Sequence, residues 1–315
     1  GIIICLIGIE SSMYMVILAG RFITALGAAS GLACTFMLMH DLLNENEYKH
    51  AMPYTTLSFT LGIGLAVLMG GLVSEYLNWT VCFWILLIHG VVMIVSTLCF
   101  PNNNKKLCEL NLLSILKNYG RALMNARLIV FSLVVGLMSS FSYVYSAIAP
   151  LYANHYLHQT SSEYGYWNLI NMAGMLIGGL LGARIMKLYG PIKLLAAGLI
   201  GFIPCCLSLL IVALSNSHYP LWFYITTMCM YIFGGFLFPS GSYFALDSTP
   251  DKANGSSMMS FVNMLSAVVS VIIAGYLPTS IIVSFASIVS VFLVMVGVLL
   301  LCIKLGCFRP SKAIF

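Results

Sequence analysis

An arginine set inside an apolar run is the residue in this sequence whose chemistry most needs an account. Arg21 stands in Ala19-Gly20-Arg21-Phe22-Ile23-Thr24-Ala25-Leu26-Gly27. If that run enters a bilayer as a helix near Met13, eight residues at 1.5 Å each carry Arg21 roughly 12 Å deep. A guanidinium stays protonated there, so it acts as a fixed charge that pairs with a carboxylate or a substrate, not as a titrating group. An intramembrane cation is costly and by default marks a functional site. The plainer account is that it snorkels to the interface or pins a neighbouring helix.

Other polar groups lie inside apolar runs: Tyr143, Tyr145, Asn168, Asn171, Tyr231 and Asn263. They could line a cavity for a small molecule, with hydrogen bonding between helices as the competing account. His89 reads as a packing histidine, because no second His, Cys or carboxylate stands near it at metal-ligand spacing. Ten cysteines without a CxxC pair read mostly as small apolar fillers. No HExxH, GxSxG, P-loop or intramembrane acid pair is present, so neither an enzyme nor a bound cofactor is expected. Two stripes of small residues, Gly62-Ala66-Gly70 with Gly71 beside it and Gly174-Gly178-Gly182, predict close helix crossings.

The elements that position these groups follow from composition. The 315 residues are 61% hydrophobic and 7% charged, against about 25% charged in ordinary soluble domains. Apolar runs recur along the whole length, each near the ~20 residues that cross a bilayer as a helix. Helices are the expected form, since each run must satisfy its own backbone groups in lipid. About ten runs can be marked, from a half-span at Gly1 to Ile9 through to Ser280 to Ile303.

Cations alternate with the runs. Lys49, Lys105, Lys106, Lys117, Arg121, Arg127, Arg184, Lys187, Lys193, Lys252, Lys304, Arg309 and Lys312 fall on one side, while the opposite loops carry Glu10, Glu75, His155, His158, Glu163 and His218. The positive-inside rule makes the first side cytoplasmic. The formal charge of +5 is spread between apolar runs and forms no nucleic-acid patch. The expected organisation is an incomplete first bundle over residues 1–100, a polar cytoplasmic linker over 101–126, and a six-helix bundle with a short tail over 127–315. The first bundle is short by two helices and part of a third, so a fragment is expected.

Several segments resemble a known family. Arg21 to Gly27 resembles the fourth-helix RxxQGxG motif of the major facilitator superfamily, with Thr24 in place of its glutamine and Ala25 in place of its glycine. Gly62 to Gly71, continued by Glu75-Tyr76-Leu77-Asn78-Trp79 and Phe83-Trp84, is similar to the fifth-helix antiporter motif, although Ala66-Val67 replace its Gly-Pro. Gly182-Ala183-Arg184 through Gly190 resembles the cytoplasmic GxxxDRxGxR loop. Tyr143 to Pro150, Ser161 to Gly165, and Phe238-Pro239 through Ser257 are similar to the bacterial Bcr/CflA drug-resistance transporters.

The resemblance implies an all-α polytopic membrane protein of two-bundle architecture, with about nine to ten transmembrane helices. It implies drug:proton antiport by alternating access in a bacterial cytoplasmic membrane, by a monomer whose partners are a small-molecule substrate, protons and the bilayer. Arg21, Thr24, Tyr143, Asn168, Asn171 and Asn263 are its expected substrate or ion pathway, with substrate near the midplane where the repeats meet. Gly62, Gly70 and Gly71 are the expected packing motif, and Gly182, Arg184 and Gly190 the loop motif. Metabolite transport on the same fold, or a truncated inactive remnant, are the alternatives.

Overall fold

The computed structural model describes residues 1–42, 45–98, 119–215 and 218–305, with side chains described outside 32–57, 59 and 253. The elements are α1 (Ile2–Glu10), α2 (Tyr14–Leu42), α3 (Glu45–Tyr76), α4 (Val81–Leu98), α5 (Ala126–His155), α6 (Ser161–Leu214), α7 (Pro220–Asp247), α8 (Lys252–Tyr276) and α9 (Ile281–Lys304). No strand occurs among the described residues. Seven of these helices are long and apolar enough to cross a membrane, and the apolar part of α3, Thr60–Tyr76, is a shorter one. The all-helical polytopic expectation is met.

Three helix starts are written locally. Asn125 caps α5 by accepting the backbone N–H of Leu128, and Asp251 caps α8 by accepting that of Asn254. Pro220 opens α7, where its missing N–H costs nothing.

At 1.5 Å per residue, the 54 residues of α6 would extend about 80 Å, more than twice a ~30 Å hydrocarbon core. The helix is broken at Gly190, whose φ of 82° and ψ of 172° are essentially open to glycine alone. Pro191 follows and suits the first position of a new helix. Two crossings result, as the two apolar runs at Tyr164 to Met186 and Ile192 to Leu214 predict.

The chain divides into two compact units, Gly1–Cys108 with Thr160–Tyr166, and Glu109–Gln159 with Trp167–Phe315. The expected linker is largely outside the described residues, as are Lys105, Lys106, Lys117, Arg309 and Lys312 of the topology reading. Within the first unit α1 and α2 form an antiparallel hairpin through Ser11, Ser12 and Met13. A Cβ on Gly1 would strike Thr24, and one on Gly8 would strike Ile17. The buried core of this hairpin against α4 is Cys5, Leu6 and Phe83, with Ile9 and Leu87 around it.

The second unit has the deeper core. α5 buries a stripe from Leu128 to Ala153 that includes Val134, Leu137, Phe141, Tyr145 and Tyr152. The two arms of α6 lie against α7 in opposite directions. A Cβ on Gly174, Gly178 or Gly182 would come within 2.7, 2.7 and 3.1 Å of the carbonyl oxygens of Met228, Ile232 and Gly235. Along the second arm, Gly198 meets Leu237 and Gly201 meets Phe233, so the order along α7 is reversed. The predicted stripe of three glycines is therefore a true crossing surface. Without side chains at these positions two backbones can approach closely.

Candidate functional site

Inside the second unit, four polar side chains from three helical segments form one buried network. Tyr145 of α5 donates its hydroxyl proton to Asn168 Oδ1 at 3.1 Å. Asn171 Nδ2 donates to the Tyr145 oxygen at 2.6 Å and to Asn168 Oδ1 at 3.2 Å. Thr227 of α7 donates to Asn171 Oδ1 at 2.9 Å. All four residues are buried. Such groups are costly in an apolar interior unless they find one another.

Rings close around the network. Phe141 meets Tyr231 edge-on at 4.9 Å and stacks near Phe285 at 6.0 Å, while Tyr145 stacks on Phe223 at 6.1 Å. Ser142 and the Tyr231 hydroxyl are 3.3 Å apart. Counting 1.5 Å per residue from the starts of α6 and α7, the network sits roughly 10–17 Å in, close to the middle of a hydrocarbon core.

The chemistry of this cluster is neutral. It contains no carboxylate and no cation, so it suits ligands recognised by aromatic surface and a few hydrogen bonds. Asn168 uses its carbonyl oxygen twice, whereas its Nδ2 group makes no hydrogen bond among the described residues.

Of the expected pathway residues, Asn168 and Asn171 lie together in this network. Tyr143 does not join them; it is 52% exposed, and Tyr145, two residues on, faces inward instead. The two lie about 200° apart around the helix, so only one can point at α6. Asn263 of α8 is buried, and its Oδ1 has no hydrogen-bond partner among the described residues. Thr227 is absent from the sequence-based candidates. Its signal was the spacing Tyr224, Thr227, Tyr231, which puts two phenols and a hydroxyl on one helical face.

In the first unit the Arg21 guanidinium lies over the ring of Phe83, with its carbon 4.6 Å from the ring centroid. Among the described residues it has no carboxylate partner. Phe83 is in the first turn of α4, so the charge lies toward the end where α1 and α3 finish and α4 begins, not at the depth of the Arg21 backbone. Helical side chains lean toward their helix N-terminus, and here that carries the guanidinium toward the interface. Thr24 is turned onto its own helix, donating to the Gly20 carbonyl at 2.8 Å.

The three glycines of the expected packing motif on α3 have different surroundings. Among the described residues a Cβ on Gly62 or Gly70 would meet nothing within 4 Å, whereas one on Gly71 would come 2.3 Å from the Ser161 carbonyl oxygen. The close crossing is thus made by the neighbouring face of the helix, with Gly165 approaching Leu68. In the loop motif, Gly182 is a packing position, Arg184 is exposed, and Gly190 supplies the backbone break. His89 is exposed on α4, contrary to the expectation of a packed histidine.

Glu75, next to last in α3, accepts the Ser162 backbone N–H at 2.8 Å, within the first unit. That bond, joined by hydroxyls of Thr160 and Ser162, holds its carboxyl below the ordinary value of 4.5. Among the described residues no group of three His, Cys, Asp or Glu side chains could hold a metal ion.

The model of the Major Facilitator Superfamily matches residues 1–112 and 128–313. The MFS-type transporter phiD of a fungal species is 28% identical over 94 residues, 30% of this chain and 14% of that protein. The MFS-type transporter tstD of Talaromyces stipitatus is 26% identical over 95 residues, covering 30% and 17%. The MFS-type transporter clz19 of Cochliobolus lunatus is 35% identical over 63 residues, covering 20% and 12%. The matched segments thus span less than a fifth of these relatives' own lengths. With the family model matched along almost all of a helical, multi-pass membrane chain, the protein belongs to the Major Facilitator Superfamily, a family of transporters and not of enzymes.

Proposed function

We propose that the chain belongs to a secondary active transporter that exports small lipophilic compounds, driven by protons and working by alternating access as a monomer. The observation that carries this reading is the buried network of Tyr145, Asn168, Asn171 and Thr227 among the rings of Phe141, Phe223, Tyr231 and Phe285. A site with much aromatic area, few polar groups and no charge selects large, weakly polar cargo over sugars or organic acids, which need many hydrogen bonds or a counter-charge. Arg21 is the fixed positive charge within an apolar run of the first unit.

The likeness to the Bcr/CflA antiporters supports the drug-export part of this reading and rests on Tyr143 to Pro150, Ser161 to Gly165 and Phe238 to Ser257. The relatives named above are fungal and lend no support to a bacterial inner membrane. The proposed topology, with the basic loops on the cytoplasmic side, does not depend on which membrane it is.

The test is flux in proteoliposomes that contain the chain, with ethidium as the probe and an imposed pH gradient. Saturable uptake that collapses with the gradient is expected, and Asn171→Ala should raise the half-saturation concentration about tenfold, equivalent to about 1.4 kcal/mol of binding. Ethidium movement equal to that of empty vesicles, alongside saturable flux of a sugar or an organic acid, would refute the lipophile reading.

A further inference from the structure

Arg21 lies over an aromatic face that is itself locked in place. Phe83 is 7% exposed and packs against Cys5 and Leu6 of α1, with Ile9 and Leu87 at its margins. Trp79 meets it edge-on at 5.9 Å. The guanidinium carbon of Arg21 lies over this ring, 4.6 Å from its centroid. No carboxylate among the described residues shares the charge. A planar, weakly hydrated guanidinium stacks on such a face in a way that an ammonium does not.

We propose that Phe83 is the positioning residue for Arg21: its ring face, not a carboxylate, fixes where the guanidinium charge stands. The hairpin of α1 and α2 supports this arrangement, because Cys5 and Leu6 press on the ring while Gly20 lets α1 approach α2 one residue before Arg21. The sequence hides this pairing. Phe83 sits in a stretch of apolar residues 62 positions away from Arg21, and nothing in its spacing distinguishes it from Trp84 or Trp79.

The role of this contact in transport rests on the reading of Arg21 given above, so two readouts are needed. The first is the rate at which phenylglyoxal modifies Arg21 in the purified full chain, followed by peptide mass spectrometry. Phe83→Tyr and Phe83→Trp retain a π face and should leave the rate near that of the unaltered protein. Phe83→Leu should raise it about three-fold, the factor for losing a cation–π contact at an exposed site. Phe83→Met, which fills the core with a flexible side chain of similar size, supplies the same comparison if the leucine variant does not fold. An unchanged rate in a folded Leu or Met variant would overturn the proposal.

The second readout is ethidium flux. Reduced flux in Phe83→Met, restored in Phe83→Tyr, supports positioning, since a purely structural role would follow melting temperature instead of the presence of a ring. Normal flux in Arg21→Ala would remove the functional reading of Arg21 and leave the labelling rates to decide the contact, so the two failures are distinguishable.

Discussion

Asn171 on α6 donates its side-chain amide to the phenolic oxygen of Tyr145 on α5 across 2.6 Å. The two residues are separated by 26 positions and a turn, yet each is nearly sealed from solvent. This bond organises the rest of the network, because it orients the Tyr145 proton toward Asn168 and leaves Asn171 Oδ1 for Thr227. Tyr145→Phe removes one donor and one acceptor at once. Interhelical hydrogen bonds in membranes contribute on average about 0.6 kcal/mol and up to about 1.7, so unfolding in detergent should weaken by an amount in that range. Combining it with Asn171→Ala should cost clearly less than the sum of the single changes, because both delete the same bond.

The glycines of α6 offer a sharper contrast. A methyl at Gly178 would lie 2.7 Å from the Ile232 carbonyl oxygen, which is backbone and cannot swing away, while a methyl at the adjacent Gly179 would meet open space. Gly178→Ala should therefore lower stability by about 1–3 kcal/mol through overpacking. Gly179→Ala should be neutral or stabilising by about 0.5–1 kcal/mol, since alanine loses less backbone entropy in a helix. Gly62→Ala and Gly70→Ala, open in the same sense, should resemble Gly179→Ala. Thermal unfolding followed by a thiol-reactive dye would rank all four.

Glu75 links stability to pH. Its carboxylate accepts the Ser162 N–H, and its folded-state pKa is below 4.5. A depressed carboxyl pKa favours the native state above 4.5, and the benefit disappears as pH falls from there through the lowered folded value. The melting temperature of the protein should drop over that acid interval. Glu75→Gln should show a lower melting temperature at neutral pH and a shallower acid decline. A parallel decline in both proteins would dissociate Glu75 from the effect.

The two units should also differ in local opening. Along α4 the buried residue is Phe83 alone, whereas α5 buries a stripe from Leu128 to Ala153. Segments with few buried apolar contacts open at lower free energy. Hydrogen exchange in detergent should therefore be faster in α2 and α4 than in α5 and α7. Equal protection in the four helices would contradict this.

Much of the architecture was legible because lipid imposes it. Runs of bilayer length and the capping residues Asn125, Asp251 and Pro220 have local physical causes, and so do the helices they begin. The Gly174, Gly178 and Gly182 stripe was legible for the same reason, since spacing alone puts three gaps on one face. At Gly62 and Gly70 spacing states which face is smooth and not which element covers it, and no described residue lies against them.

The site was legible as chemistry but only partly as geometry. Asn168 and Asn171 could be chosen because buried amides need partners. Choosing Tyr143 over Tyr145 required knowing which side of α5 faces α6, and two tyrosines a residue apart carry no such information. Thr227 and Phe83 act through contacts between distant segments, which no local pattern records. The position of Arg21 illustrates the same gap: backbone depth follows from counting residues, but the depth of its charge depends on which way a long side chain leans.

The break at Gly190 reaches beyond local geometry. With helix running up to it and a proline directly after it, the two arms of α6 have no spare connecting length, and Arg184, Lys187 and Lys193 flank the bend within ten residues. A joint this short lets the arms part only by pivoting about a single glycine, so any movement of one crossing is handed directly to the other.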